Sequence, residues 1–370
     1  MKIWYISIKS ICEIKTVLYR VYMICVKNFN MSIKNKLDTL KDKEILVTGG
    51  CGFIGSEITK QLSNLDSKVT IIDNLSSGKE EYIKNLSNVN LIKVDLSDDS
   101  KIKSIVEGKD FIINLAALPF IPDSYYYPKK FFEVNVNGTI GLALAAIKEK
   151  RIKRFIHISS SEVYGSARYT PMDENHPTIP QSTYAVSKLA GERAIFTIHK
   201  EHNLPAVIIR PFNSFGPNIT QPYIIPEIIN QLSTDSTEIK LGNINSKRDL
   251  TYVSDTAHGI ILSLVAEGVI GETLNVGSQR SVSVINLVEI ISKLMSKEVK
   301  IKIDPDRFRP FDVDTLVCNY DRANRLLEWK PEISIEDGLR KTIDWVKKNG
   351  IHFNEPEHGW PSSYRSNQEN

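Results

Sequence analysis

Cysteine is scarce in this chain. The 370 residues include four (Cys12, Cys25, Cys51 and Cys318), none in the paired spacing of a disulfide framework or a zinc site. This excludes a cysteine-built metal centre and fits a reducing compartment, so the protein is expected in the cytoplasm. A dominant charge is also missing. The 47 basic residues stand against 44 acidic ones, leaving +3, too balanced to point to nucleic acid as a partner. Nor is there a long uncharged apolar run. Residues 1–29 are apolar and aromatic, but Lys9, Glu13, Lys15 and Arg20 interrupt them, whereas a membrane span needs ~20 apolar residues in succession. No compact apolar stretch leads to a small-residue cleavage site, which argues against a secretory signal. Two readings of the segment stand: a basic amphipathic helix, or an extension upstream of a start at Met31. The second is preferred because patterned sequence begins only near Lys43, and residues 1–42 are expected to lie outside the fold.

What the chain does have is a run from Glu44 to Gly55 followed by Val69–Asp73. An apolar, β-prone segment enters three glycines spaced three apart, then comes a helical pattern, then a second apolar segment ending in an acid. Gly49 supplies a tight turn, Gly52 lets backbone approach a pyrophosphate, and Gly55 lets the following helix pack close to the sheet. The helix N-terminus offers unpaired N–H groups and partial positive charge to phosphates. Asp73 is placed to accept hydrogen bonds from ribose hydroxyls and would repel a 2′-phosphate, which favours NAD over NADP. A glycine triplet alone also fits an ordinary strand-to-helix turn; the strand, helix and acid in sequence make the dinucleotide reading the stronger one.

Strand and helix patterns alternate from residue 44 onward, predicting an α/β fold with a doubly wound parallel Rossmann sheet. Six strands are expected, at residues 44–48, 68–73, 90–95, 110–116, 154–159 and 206–210. After Arg210-Pro211 the strands shorten and Pro and Gly increase. The expected organisation is an NAD-binding domain at 43–211, a smaller C-terminal α/β substrate lobe at 212–349, and a polar tail at 350–370.

Tyr184 and Lys188 lie four apart on a predicted helix and share a face. An ammonium beside a phenol lowers the phenol pKa, which would let Tyr184 act as a base near neutral pH. The run Ser159-Ser160-Ser161-Glu162-Val163-Tyr164-Gly165 follows a predicted strand, on the side where open sheets bind ligands. Taken singly, the pair also suits a solvated face and the serines a polar turn.

Together these stretches, with Asp73–Gly78, Asp95-Leu96, Leu115–Ala117, Val134–Thr139 and Arg210–Pro217, resemble the extended short-chain dehydrogenases/reductases of the nucleotide-sugar epimerase and dehydratase group, across residues 43–348. The resemblance implies a cofactor site formed by Gly49, Gly52, Phe53, Ile54, Gly55, Asp73, Asn74, Asp95, Leu96, Ala116, Asn135, Tyr184 and Lys188. It implies Ser160 as the hydroxyl that bonds the sugar O4, and Asn213, Arg248 and Arg309 as ligands of the nucleotide diphosphate. Phe311 stands where glycine is usual after Arg309-Pro310, which puts that loop's shape in question. By the same resemblance the helices at 129–149 and 184–202 would pair in a homodimer.

In this group Tyr184 would take the O4 proton while the C4 hydride passes to NAD, and the 4-keto sugar is the branch point. Glu162 matches the position of the C5 base of 4,6-dehydratases, while Ser161 stands where some of them carry an acidic Asp. Segments around Lys240–Gly242, Arg248–Thr256 and Arg307–Pro310 resemble dehydratases acting on nucleotide-activated N-acetylglucosamine. The expectation is therefore a 4,6-dehydratase acting on a UDP-, GDP- or dTDP-sugar. A 4-epimerase comes second and a UDP-glucuronate decarboxylase third; a catalytically silent NAD-binding protein is disfavoured because the Ser, Tyr and Lys are all present.

Overall fold

The computed structural model describes residues 35–234, 237–309 and 311–350. Six strands follow the alternating pattern: β1 (Glu44–Thr48), β2 (Lys68–Asp73), β3 (Val89–Lys93), β4 (Phe111–Asn114), β5 (Arg154–Ile158) and β6 (Ala206–Pro211). The later strands are β7 (Asn213–Phe215), β8 (Glu238–Leu241), β9 (Lys247–Tyr252), β10 (Thr273–Val276), β11 (Ser281–Ser283) and β12 (Lys300–Ile303). The main sheet is parallel in the order β10-β6-β5-β4-β1-β2-β3. The strand order therefore reverses between β1 and β4, where Thr48 pairs with Asn114. Open sheets bind ligands in the crevice beyond the carboxyl ends at such a point.

Central parallel strands read as continuous apolar runs because helices cover both faces. Ile45 and Val47 of β1 pack into one layer with Ile58 and Leu62 of the helix Phe53–Asn64 and with Ile260. Leu46, pointing the other way, joins Leu142, Ala143 and Ile195. A helical stretch from Pro128 to Lys148 is interrupted by a π-helical turn at Glu133–Gly138. The helix Thr183–His202 begins at Ser182, whose Oγ accepts from Ala185 N at 3.1 Å. It ends at Asn203 in the left-handed region, with His199, Lys200 and His202 in its last turn, the charge placement that a helix C-terminus favours.

The division at residue 211 needs correction, because the chain returns to the first unit. β10 is the seventh strand of the main sheet, hydrogen-bonded to β6. The helix Val253–Val265 lies in the β1 layer, and Trp329 seals it, donating from Nε1 to Asp255 O at 2.9 Å. What remains as a separate lobe is the β11-β9-β7 sheet, the β12-β8 pair and the helices Ile224–Leu232, Val284–Met295 and Ile335–Asn349. These meet around Ile228, Ile229, Leu287, Ile291 and Ile343.

The boundary at residue 42 is corrected as well. Leu40 is fully buried against the β1 layer, its carbonyl accepts from Ser67 Oγ at 2.9 Å, and Asp42 N donates to Asp66 O at 3.0 Å. Leu40, Leu37 packed beside it, these two hydrogen bonds and the ion pairs of Lys36 with Glu328 and Lys41 with Asp66 carry this attachment, too little to produce a periodic signal. Residues 1–34 and the tail 351–370 lie outside the described residues. Leu40→Ala is expected to lower unfolding free energy by about 2–4 kcal/mol, measured by urea titration; a change below ~0.5 kcal/mol would show that residues 37–42 do not belong to the folded unit.

Candidate active site

A cavity of about 530 Å³ runs from the glycine loop, past the carboxyl ends of β4 and β5, to the second lobe. At its first end Gly49 adopts φ +71°, and its N–H donates to Ile72 O at 2.7 Å. A Cβ at Gly55 would sit only 2.0 Å from Gly49 O. The helix Phe53–Asn64 therefore approaches the turn as closely as the glycine spacing predicted. Its N-terminus has no side-chain cap and no acid in its first turn, which leaves backbone N–H groups and helix dipole available to an anion. Phe53, Ile54, Asp95, Leu96 and Ala116 line the same cavity, and the arrangement fits a dinucleotide.

Asp73 does two jobs there. Its Oδ2 accepts from Cys51 N at 2.9 Å and its Oδ1 from Leu75 N at 2.8 Å, so it ties the glycine loop to β2. A carboxylate has about four acceptor sites, leaving capacity for ribose hydroxyls. Burial raises its pKa above the ordinary value, and the two backbone bonds oppose the rise. Asn74 donates through Nδ2 to Asp95 Oδ2 at 2.7 Å. Asp95 is held below the usual carboxylate range, chiefly by the N–H of Ser97.

Asn135 does not reach the cavity as expected. Its Oδ1 accepts from Leu118 N at 2.9 Å and its Nδ2 donates to Ser187 Oγ at 2.9 Å. Buried in the π-helical turn, it fastens the loop after β4 to the helix that carries Tyr184. Its side chain thereby braces the walls of the site.

Ser160, Glu162, Tyr184 and Lys188 do converge on the cavity. Ser160 caps a short turn at Ser161–Tyr164, its Oγ accepting from Glu162 N at 3.2 Å, and it hydrogen-bonds the Tyr184 phenol. Lys188 is buried and donates from Nζ to the carbonyl of Ile158 at the end of β5. The expected lowering of the phenol pKa is not what the protein produces. Burial pushes Tyr184 up to about 12, the Ser160 bond partly opposes this, and the charge of Glu162 adds to the rise. Burial also brings Lys188 down to about 8, with Glu192 opposing. Desolvation outweighs the pairing that the four-residue spacing suggested. The Glu162 side chain is 8% exposed, lines the cavity and has no hydrogen bond to its carboxylate among the described residues. Its charge is felt by Tyr184, Tyr125 and Arg248.

At the far end Asn213 Oδ1 is buried with no hydrogen-bond partner among the described residues, an acceptor facing the cavity lining. Arg248 and Arg309 share Asp312 Oδ1, at 3.4 and 3.5 Å. Phe311 is 60% exposed, so its bulk points to solvent beside Arg309. Arg307, which carried no assigned role, also lines this end and pairs with Glu227 at 2.7 Å. The arginines give this end the positive character a diphosphate requires.

Beneath the reacting groups lies a buried polar network that motif reading missed. Glu192 accepts from Ser159 Oγ at 2.7 Å and from Arg210 through Nε at 2.9 Å and Nη2 at 2.5 Å. Arg210 Nη1 donates to Tyr164 OH at 2.8 Å, and that hydroxyl donates to Asn275 Oδ1 at 2.7 Å. The available signal was an acid four residues after Lys188 on one helix face and an arginine closing an apolar strand.

The family described as GDP-mannose 4,6 dehydratase matches residues 46–342. The chain belongs to this family. It is thus a nucleotide-sugar-modifying enzyme of the extended short-chain dehydrogenase/reductase type, as the glycine loop and the Ser–Tyr–Lys constellation led us to expect. Mouse dTDP-D-glucose 4,6-dehydratase is 30% identical, covering 83% of this chain and 89% of its own. The solved structure of an epimerase from Methanothermobacter thermautotrophicus matches with a TM-score of 0.80 at 31% identity, covering 86% and 96% of the two chains. UDP-glucuronic acid 4-epimerase from Bacillus cereus, solved with UDP-glucuronic acid and NAD, matches at 0.77 and 28% identity over 82% and 99%. Members of this family at similar identity thus differ in reaction. Among the described residues no helix is long and apolar enough to cross a membrane.

Because Glu192 and Arg210 are both buried, removing one leaves an uncompensated charge. Glu192→Ala is expected to cost about 3–5 kcal/mol, and Glu192→Leu combined with Arg210→Met to recover much of it. Chemical denaturation of the two variants checks this; a single-variant loss below ~1 kcal/mol would contradict the assignment.

Proposed function

We propose that the protein is an NAD-dependent nucleotide-sugar 4,6-dehydratase. The observation that carries the reading is the carboxylate of Glu162, enclosed in the cavity beside Ser160 and Tyr184 without a hydrogen bond from the described residues. A base that removes a carbon-bound proton needs such a shielded, unengaged carboxylate.

The glycine loop, Asp73, Asp95 and Lys188 would hold NAD, with Lys188 on the nicotinamide ribose. Bound there, NAD supplies the store that takes the C4 hydride and returns it to C6, and its positive ring opposes the burial that raises Tyr184. Asn213, Arg248 and Arg309 hold the nucleotide diphosphate. Ser160 orients O4 and Tyr184 accepts its proton. The resulting ketone acidifies C5–H, Glu162 removes that proton, and the C6 hydroxyl leaves as water with the proton Glu162 carries; as the hydride returns to C6, C5 takes a proton from solvent and Tyr184 gives up the O4 proton to solvent. A C4 epimerase is the second reading, favoured by the epimerases among the similar solved structures; it would give Glu162 no chemical step. The cytoplasm suits the two described cysteines, Cys51 and Cys318, which are buried and unpaired.

Tyr184→Phe is expected to lower turnover by about 10²–10⁴-fold and to abolish sugar-driven reduction of the nicotinamide, followed by its near-ultraviolet absorbance. Glu162→Gln should still reduce the nicotinamide but release no 4-keto-6-deoxy sugar; full turnover of that variant would favour epimerisation. We also propose that the helices Pro128–Phe132, Thr139–Lys148 and Thr183–His202 pair in a homodimer, since Phe132, Leu144 and Val186 are 38, 45 and 41% exposed on them. Leu144→Glu should then shift sedimentation from dimer to monomer, and an unaltered profile would place the interface elsewhere.

A further inference from the structure

Past the arginines that would hold the diphosphate, the cavity continues into the second lobe, and no step above uses that stretch. Its walls there include Pro226, Leu241, Leu250 and Val284, apolar side chains that suit the faces of a flat base. Two charged side chains interrupt them. Glu227, in the first turn of the helix Ile224–Leu232, and Arg307, in the short turn Pro305–Arg307, both line the cavity and pair at 2.7 Å.

The bonds to Glu227 fall on one oxygen. Arg307 Nη1 at 2.7 Å and Gln231 Nε2 at 2.8 Å both donate to Oε1. Oε2 has no hydrogen bond among the described residues, although a carboxylate oxygen accepts about two, and the side chain keeps 13% of its surface open. The surroundings fix the pair in place. Gln231 also bridges to β8, donating to Lys240 O at 3.0 Å and accepting from Lys240 N at 2.7 Å. Arg307 is pressed against the end of that strand, since a Cβ at Gly242 would meet Arg307 O at 2.5 Å. A charged acceptor is thus oriented with one oxygen to spare.

The order along the cavity indicates which part of a nucleotide meets it. Arg248 and Arg309 both contact Asp312, so Asp312 is the carboxylate beside the diphosphate and the ribose that adjoins it. Glu227 bonds to neither arginine; Arg307 and Gln231 tie it to the apolar-walled stretch beyond, where the base would lie. An ionised carboxylate oxygen only accepts. Its match is a ring N–H, present at N3 of uracil and thymine and at N1 of guanine. Cytosine and adenine carry a lone pair at the corresponding position, which would face the negative oxygen unbonded.

We propose that Glu227 is a specificity-determining residue: its Oε2 accepts from the ring N–H of uracil, thymine or guanine and rejects cytosine and adenine nucleotides. This rests on the nucleotide-sugar reading and on the diphosphate site at Arg248 and Arg309, not on the choice between dehydratase and epimerase.

The test titrates the full chain, saturated with NAD, with UDP, dTDP, GDP and CDP by calorimetry. At least one of the first three should bind on the order of ten-fold or more tighter than CDP. Glu227→Gln should narrow that ratio to about two-fold, because the amide can turn its donor toward cytosine N3. Glu227→Leu combined with Arg307→Met removes the pair without leaving a lone charge and should abolish the preference as well. Equal affinity of the wild type for CDP overturns the proposal. So does a loss of affinity for all four nucleotides alike in the variants, the mark of a ribose contact or of a pair that only shapes the lobe. Binding of none of the four would defeat the diphosphate assignment and the inference with it, whereas a C4-epimerised product would defeat the dehydratase reading and leave the base preference standing.

Discussion

The buried pair of Glu192 and Arg210 is the constraint on which the site depends. It joins the helix Thr183–His202 to the end of β6, and its hydrogen bonds extend to Ser159, Tyr164 and, through Tyr164, to Asn275 on β10. Four elements that supply or support reacting groups are thereby held to one polar centre. Desolvating two charges costs several kcal/mol per ion, and their attraction offsets this only when every donor and acceptor is engaged. Here both carboxylate oxygens and all three guanidinium nitrogens are engaged. The pair's main consequence is register. Lys188 lies one helical turn before Glu192, and Ser160 follows Ser159, so fixing the network fixes both.

The electrostatics of the site follow from that enclosure. Burial drives the Tyr184 phenol up and the Lys188 ammonium down, so both groups are pushed toward their neutral forms. At about 8 for Lys188 and about 12 for Tyr184, both groups still hold their protons for the most part at neutral pH, so Tyr184 can take a hydroxyl proton only where a further positive charge beside it favours the phenolate. The protein keeps its permanent cations at the other end, where Arg248, Arg307 and Arg309 meet Asp312 and Glu227. Binding charge and reactive groups are thus separated along one cavity.

Much of this was legible in the sequence, for physical reasons. Three glycines specify a turn and a close helix contact, and Gly49 and Gly55 occupy those places, whereas the bonds of Asp73 to Cys51 N and Leu75 N have no sequence signal. The apolar runs of β1 to β6 predicted six parallel strands, and their alternation with helices a doubly wound sheet. Other features had no local signature. β10 is four residues long and its place in the sequence puts it with the second lobe, because nothing near it in sequence indicates pairing with β6. Leu37 and Leu40 stand among polar and charged residues before the first strand, too few to make a pattern. Asn135 lies in a motif shared by the family, yet its side chain spans Leu118 and Ser187, a contact visible only in three dimensions. The predicted fall of the Tyr184 pKa erred because spacing shows which groups are near each other but not how much water they have lost.

The most direct test of the account follows the fate of C5–H. The protein is incubated in heavy water with dTDP-, UDP- and GDP-sugars, and the products are analysed by mass spectrometry and NMR. The account predicts loss of one water, a 4-keto-6-deoxy product and deuterium at C5. A product of unchanged mass with inverted C4 and no deuterium at C5 would contradict it.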